Sequence, residues 1–210
     1  MPFDKNRIIN EKLFEECDHS VMEKLINLPC SGQDKWKNPD FQPIYSKIKN
    51  KLLEAQDKFC FYCHKQHLNI DADDWHIDHI IPIDEDDRFV FTEFNLILAC
   101  KWCNRRKNDK PVLTEKPKTN RCSKSSSKYR IIHARIDDYF EHIDVIGDIF
   151  YSGKTPKGRR TIYDCVLDRF KLEYISNLKS NDRDFVDGAL KFLMRNGKDE
   201  FIRFIKSLPS

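Results

Sequence analysis

The sequence predicts an α+β fold without a large sheet: a small strand-rich centre that carries the chemistry, set between two mostly helical regions. Three observations point there. Apolar residues recur at helical spacing on both sides, the centre switches to short apolar runs broken by Asp-rich turns, and two Cys-x-x-Cys pairs bracket that centre. With 40% hydrophobic and 34% charged residues among 210, the chain can bury one or two cores, which excludes a disordered tail or a fibre.

In the first region, residues 1–57, Leu13, Val21, Leu25 and Leu28 form an approximate helical stripe that stops near Pro29. A second stripe, Ile44, Ile48, Leu52 and Ala55, follows Pro39 and Pro43, where helices commonly start. Both read as packing faces. In the centre, residues 58–112, the runs FCFYC, WHIDHIIPI and RFVF have the pattern of short strands. Residues 113–128, LTEKPKTNRCSKSSSK, are rich in Pro, Ser, Thr and Lys without periodicity and read as an exposed basic linker. The last region, 129–210, reads as mostly helical, with stripes at Ile162, Val166, Phe170 and at Phe185, Ala189, Phe192, Leu193. Gly197 then acts as a stop before Phe201, Phe204, Ile205 and Leu208.

Nothing in the sequence approaches the roughly 20 apolar residues of a membrane span, and the opening MPFDKNRIINEKLFEECD is acidic where a secretory signal would be apolar. A cytoplasmic protein is expected. In that compartment paired cysteines indicate metal or redox chemistry rather than disulfides. The net charge of +3 conceals a strong asymmetry. Residues 101–135 hold twelve Lys or Arg against Asp109 and Glu115, whereas residues 71–87 hold eight acids and no base. Such runs are commonly solvated loops, but an acidic loop beside a basic segment also suits a cation-holding site facing a polyanion.

Cys60-Phe61-Tyr62-Cys63 and Cys100-Lys101-Trp102-Cys103 supply four thiolates, the ligand set of a closed tetrahedral zinc site. A closed site has no open position for a substrate, so its role is to staple a core and any catalysis lies elsewhere. His64 and His67 follow the first pair but are not needed as ligands. Cys17, Cys30, Cys122 and Cys165 share no metal spacing and read as free thiols.

Between the pairs, His76-Ile77-Asp78-His79-Ile80-Ile81-Pro82 places an aspartate and a histidine side by side in an apolar run. Adjacent strand residues face opposite ways, so both can serve one site only if the strand bends or ends there, and Pro82 favours an early end. Asn95 before Leu96, and Asn104-Arg105-Arg106-Lys107 directly after the second cysteine pair, complete the constellation.

Over residues 60 to about 110 this pattern resembles the HNH nuclease family: Asp-His-x-x-Pro on the first strand, Asn-Leu further on, then Cys-x-x-Cys-Asn entering a helix. The third signature position holds Asn104 in place of histidine, the H-N-N variant of the family. The resemblance implies a compact ββα-metal core and a metal-dependent endonuclease that hydrolyses DNA phosphodiester bonds, with RNA also chemically accessible. His79, whose imidazole titrates near physiological pH, would be the general base. Asp78 and Asn104 would hold a catalytic cation. With only hard oxygen ligands and one carboxylate, that cation is expected to be Mg²⁺ or Mn²⁺. Asn95 would fix the loop bearing the histidine. His76, Lys101, Arg105, Arg106 and Lys107 are candidate phosphate contacts, with solvated helix charge as the competing reading.

The stretch from His133 through Ile143, followed by Gly158-Arg159-Arg160-Thr161-Ile162, is similar to tails of stand-alone HNH proteins in bacterial antiphage defence, including nuclease subunits of Septu-type and retron-linked systems. That resemblance implies control by an ATPase partner. Two other classes compete: a zinc-stapled nucleic-acid-binding module that does not cut, and a scaffold protein. A pure binder has no need of Asp78, His79 and Asn104 together.

Overall fold

The computed structural model describes residues 11–67 and 74–177, together with 187, 188 and 191. The chain divides into two compact units, residues 1–168 and 169–210. In the second, the described residues include a helix, Arg169–Asn177. The stripes expected at Phe185 to Leu193 and at Phe201 to Leu208 lie outside the described residues. All else concerns the first unit.

Its helices α1 (Glu16–Ile26), α2 (Gly32–Trp36) and α3 (Gln42–Ala55) precede the centre. In α3 the buried residues are Ile44, Ile48, Leu52 and Ala55, the stripe read from the sequence. In α1 the buried set is Asp18, Met22 and Leu25; Leu13 is buried before the helix begins, and Leu28 lies beyond its end, exposed. Asp18 survives burial because its carboxylate starts the helix, accepting from the Glu15 N–H at 2.8 Å, and pairs with Lys47 of α3 at 2.8 Å.

The centre is a two-stranded antiparallel sheet. β1 (Trp75–His79) pairs with β2 (Leu96–Cys100) in a register that sets Asp78 opposite Ile97 and His79 opposite Leu96. Strand β2 is buried throughout and leads directly into α4 (Lys101–Lys107). Two expected strands are absent. FCFYC forms a turn around the first cysteine pair, with Phe59 bridging Gln66 across it, and RFVF contains the single 3-10 turn Asp87–Phe89, capped by the Asp86 side chain. Both are apolar runs in tight loops, where burial alone selects hydrophobic residues without a sheet partner. Gln56, fully buried after α3, serves β2 as a neighbouring strand would: it accepts from the Leu98 N–H at 2.7 Å and donates to the Leu98 carbonyl at 2.9 Å.

Residues 129–168 are less helical than expected. A short helix α5 (Tyr139–His142) runs into a hairpin of β3 (Ile143–Ile146) and β4 (Phe150–Gly153), followed by α6 (Pro156–Cys165). Val166 does not continue the Ile162 stripe; it ends α6 in a left-handed conformation. Gly158 is required by packing, since a Cβ there would stand 2.0 Å from the His142 carbonyl oxygen. The 113–128 segment is largely exposed but pinned at both ends. Glu85 accepts from the N–H groups of Val112 and Leu113 at 2.8 and 3.0 Å, and Leu113 bridges Tyr129. Among the described residues no helix is long and apolar enough to cross a membrane.

Candidate active site and zinc centre

The four cysteines Cys60, Cys63, Cys100 and Cys103 are buried, and their sulfur atoms lie within 4.8 Å of one another. Thiolates about 2.3 Å from a shared zinc would be separated by roughly 3.8 Å in a tetrahedron, so the cluster fits that ion. Burial pushes the thiols of Cys60, Cys63 and Cys103 well up, so ionising all four needs a compensating cation. His67 approaches Cys63 Sγ at 3.9 Å without being needed as a ligand. Two tyrosines from the C-terminal side close over the first pair: Tyr139 donates to the Tyr62 carbonyl at 2.8 Å and Tyr151 to the Cys63 carbonyl at 2.7 Å. Cys17, Cys30, Cys122 and Cys165 form no disulfide.

Next to this staple lies a cleft of about 260 Å³, walled by Gln33 and Trp36 of α2, His76, Asp78 and His79 of β1, the Pro82–Asp84 turn, and Asn104, Arg105, Asn108 and Asp109. Strand β1 ends at His79, so Asp78 and His79 reach the same cleft although they leave the backbone on opposite sides.

His79 is buried, with Trp36 edge-on to its ring at 4.4 Å between centroids. Its Nε2 donates to the Val90 carbonyl at 2.9 Å, which leaves Nδ1 as the nitrogen able to accept a proton. Burial pushes its pKa down to about 4, against the opposing pull of the Val90 carbonyl and with Lys107 acting in the same direction. The ring is therefore neutral across the neutral range rather than titrating within it as the bare sequence suggested. Asn95 sits beneath the following turn: its Oδ1 accepts from the Ile81 N–H at 2.7 Å, and its Nδ2 donates to the carbonyls of Ile81 at 3.0 Å and Phe89 at 3.4 Å. One buried amide thus ties β1's exit to the Phe89–Val90 turn that holds the histidine.

Asp78, also buried, accepts from the Tyr62 hydroxyl at 2.5 Å and from Lys107 Nζ at 3.2 Å; burial raises its pKa, opposed by Lys107 and Tyr62. Lys107 donates in addition to the His79 carbonyl at 2.7 Å and is wholly inaccessible to solvent. This corrects the expectation of a phosphate contact at Lys107: its ammonium balances the buried carboxylate. Neither Tyr62 nor Lys107 was singled out from the sequence as a partner of Asp78, because one sits inside a cysteine pair and the other inside a basic run.

Asn104 donates through Nδ2 to His76 Nδ1 at 2.8 Å, an arrangement that leaves the amide Oδ1 as a hard donor on the wall of the cleft that Asp78 also lines. The donor set of Asp78 and Asn104 oxygens fits a small divalent cation. Arg105 is exposed on the cleft wall, and Arg106 is exposed one position on. Lys101 approaches Asp74 at 3.5 Å with both side chains well exposed, a weak pair that a phosphate can displace.

Residues 60–110, from the first zinc cysteine to just past α4, match the family model described as HNH endonuclease. The compared curated proteins and solved structures include no match to the chain. The matched segment contains the four-cysteine cluster, Asp78, His79, Asn95 and Asn104, and supports a nucleic-acid substrate and a nuclease chemistry.

Proposed function

We propose that the protein is a metal-dependent endonuclease that hydrolyses DNA phosphodiester bonds in the cleft at the end of β1. The observation that carries this reading is the convergence there of an oriented neutral imidazole, His79, with the oxygen donors of Asp78 and Asn104. His79 Nδ1 takes a proton from the water that attacks phosphorus. An anionic phosphate entering the cleft raises the proton affinity of a ring that burial has lowered, bringing it toward the range a general base needs. Asp78 and Asn104 would hold Mg²⁺ or Mn²⁺, and the cation would supply charge stabilisation for the departing oxygen. Asn95 positions His79 through the Ile81 and Phe89 backbone. Lys107 and Tyr62 orient Asp78 and favour its charged form against the burial that raises its pKa, the form in which it would serve a cation. Arg105, His76, Lys101 and Arg106 supply phosphate contacts around the cleft.

At the level of the cell, this proposal extends to an effector of a bacterial antiphage defence system under the control of an ATPase partner. It is supported by the resemblance of the His133–Ile143 and Gly158–Ile162 stretches and by the physical need to restrain a DNA-cutting enzyme in its host. A protein that stays monomeric and fully active when co-expressed with its genomic neighbour would count against that extension.

The chemistry is tested by incubating plasmid and single-stranded DNA with the zinc-loaded protein and adding Mg²⁺, Mn²⁺ or neither. Cutting is expected with either metal and is expected to vanish in Asp78→Asn and fall in Asn104→Ala. Cutting that persists in Asp78→Asn would remove Asp78 as the cation's carboxylate.

A further inference from the structure

We propose that the outer face of α6 is a stacking subsite for an unpaired base, so that single-stranded nucleic acid is held on a surface continuous with the cleft. This rests on the nuclease reading and names the form of its substrate. Helix α6 buries Gly158, Thr161, Ile162, Asp164 and Cys165 on one side. The other side presents Arg159, Arg160 and Tyr163, three and four residues apart where they meet the tyrosine. Tyr163 is 72% exposed. A lone exposed aromatic is ordinary on a protein surface. What sets this one apart is its company.

Lys110 Nζ lies 5.8 Å and the Arg160 guanidinium 5.9 Å from the Tyr163 ring centroid, both within cation–π range. The two cations are fixed in place. Lys110 donates to the Asp164 carbonyl oxygen at 2.6 Å, and Arg160 pairs with the Asp164 carboxylate at 2.7 Å. Asp164 has no exposed side-chain surface, so its charge holds Arg160 without facing an incoming polyanion. Arg159 is anchored at the helix start by a 3.2 Å bond to the Gly153 carbonyl. The result is a flat ring held open to solvent, with two positive groups against it and Arg159 one helical turn before it.

Continuity with the cleft decides the occupant. Asn108 and Asp109 line the cleft wall, Lys110 follows them, and α4 packs against α6. Asp109 is the exposed acid on that path, and the Asn108 side chain donates to it at 2.7 Å. A strand whose scissile phosphate lies at His79 can therefore continue past Arg105 toward Lys110 and Tyr163. Within a duplex the base faces are stacked on one another and cannot meet this ring. In a single strand a base can stack on Tyr163 while the flanking phosphates meet Arg159, Arg160 and Lys110, a mode that tolerates any sequence.

The test is an anisotropy titration of the full-length, zinc-loaded protein with fluorescein-labelled oligothymidine and with a duplex of equal length. Mg²⁺ and Mn²⁺ are left out, so that binding is read apart from cutting. Tyr163→Ala is expected to weaken single-strand binding about tenfold and duplex binding less than about twofold, whereas Tyr163→Trp retains single-strand affinity. Arg159→Gln should reduce the salt slope of single-strand binding by about one. Equal losses on single strand and duplex would overturn the base-stacking assignment. Unchanged affinity in Tyr163→Ala, from a protein that cuts DNA, would overturn this subsite alone and leave the face to an acidic protein partner. A wild-type protein that neither binds nor cuts any nucleic acid would remove the nuclease reading together with it.

Discussion

Asp78 and His79 are neighbours on β1, yet the two sides of the strand that receive them are built differently. On the Asp78 side are the zinc cysteines, Tyr62 and α4, and a buried carboxylate is balanced there by a buried ammonium. On the His79 side are the aromatic rings of Trp36, Phe41 and Phe91, with Trp36 and Phe41 4.8 Å apart, and the imidazole ring is anchored by the Val90 carbonyl. The first side is charged and stapled. The second is apolar and keeps its base neutral. One short strand thus presents a carboxyl group and a neutral imidazole to one cleft, each set in a differently built wall, and damage to each wall should have a distinct signature.

The largest effect belongs to the stapled wall. Cys103→Ser is expected to lose zinc, read by metal analysis, and to unfold the centre cooperatively, because closed thiolate sites contribute folding energy outright. Retention of a native melting curve without zinc would break the comparison, since the Asp78 wall would then stand without its staple.

Next in size is a contrast between the two walls. Lys107→Met leaves Asp78 buried without its counter-charge and should cost about 3–5 kcal/mol, seen as a Tm lowered by about 10 °C. Asn95→Ala leaves the Ile81 backbone groups without their side-chain partner and should cost about 1–3 kcal/mol, but it should lower cleavage far more than that stability loss suggests, because it releases the turn that holds His79. If both variants lost stability and activity in the same proportion, the two walls would not be separable.

The effect that is smallest at neutral pH is a pH slope, and it comes from His133, a buried histidine outside the cleft. His133 lies between Phe94 and Tyr129, at 4.6 and 4.4 Å between ring centroids, and burial lowers its pKa to about 3, opposed by Asp137 and aided by Arg135 and Lys157. The unfolded chain takes up this proton near the ordinary histidine value of 6.5 while the folded chain does not, so stability present above pH 6.5 is lost as pH falls toward 3. His133→Phe should flatten that slope by up to about 1.4 kcal/mol per pH unit over the window. Parallel slopes in denaturant titrations of the two proteins would contradict the assignment.

Much of the site could be read from residues alone. Cysteine spacing announced the tetrad, because metal geometry demands paired ligands, and Ile44, Ile48, Leu52 and Ala55 announced their helix face, because a single periodic stripe suffices for that. The adjacency of Asp78 and His79, with Pro82 close by, anticipated a strand that ends at its chemistry. Other features depend on contacts that leave no local pattern. Lys107 sits 29 residues from Asp78 and looks like every other base in its run, so only the fold shows that it is interior. The hairpin of β3 and β4 is four residues on each side with a Gly147 turn, too short for its alternation to stand out from helical neighbours. The Glu85 bonds that pin Val112 and Leu113 join backbone to a distant carboxylate and could not be foreseen from a Pro- and Ser-rich stretch.

If the apolar wall delivers His79 as a base, the result will show in cleavage of plasmid and single-stranded DNA with Mg²⁺ or Mn²⁺ by wild-type protein and by His79→Ala, each with its melting temperature recorded. Loss of cutting by about 10²–10⁴-fold in a variant that still folds and holds zinc is the predicted result. Undiminished cutting by His79→Ala would contradict the role of His79 as base, and no cutting by the wild type with either metal would move the protein to the class of zinc-stapled binding or scaffold proteins.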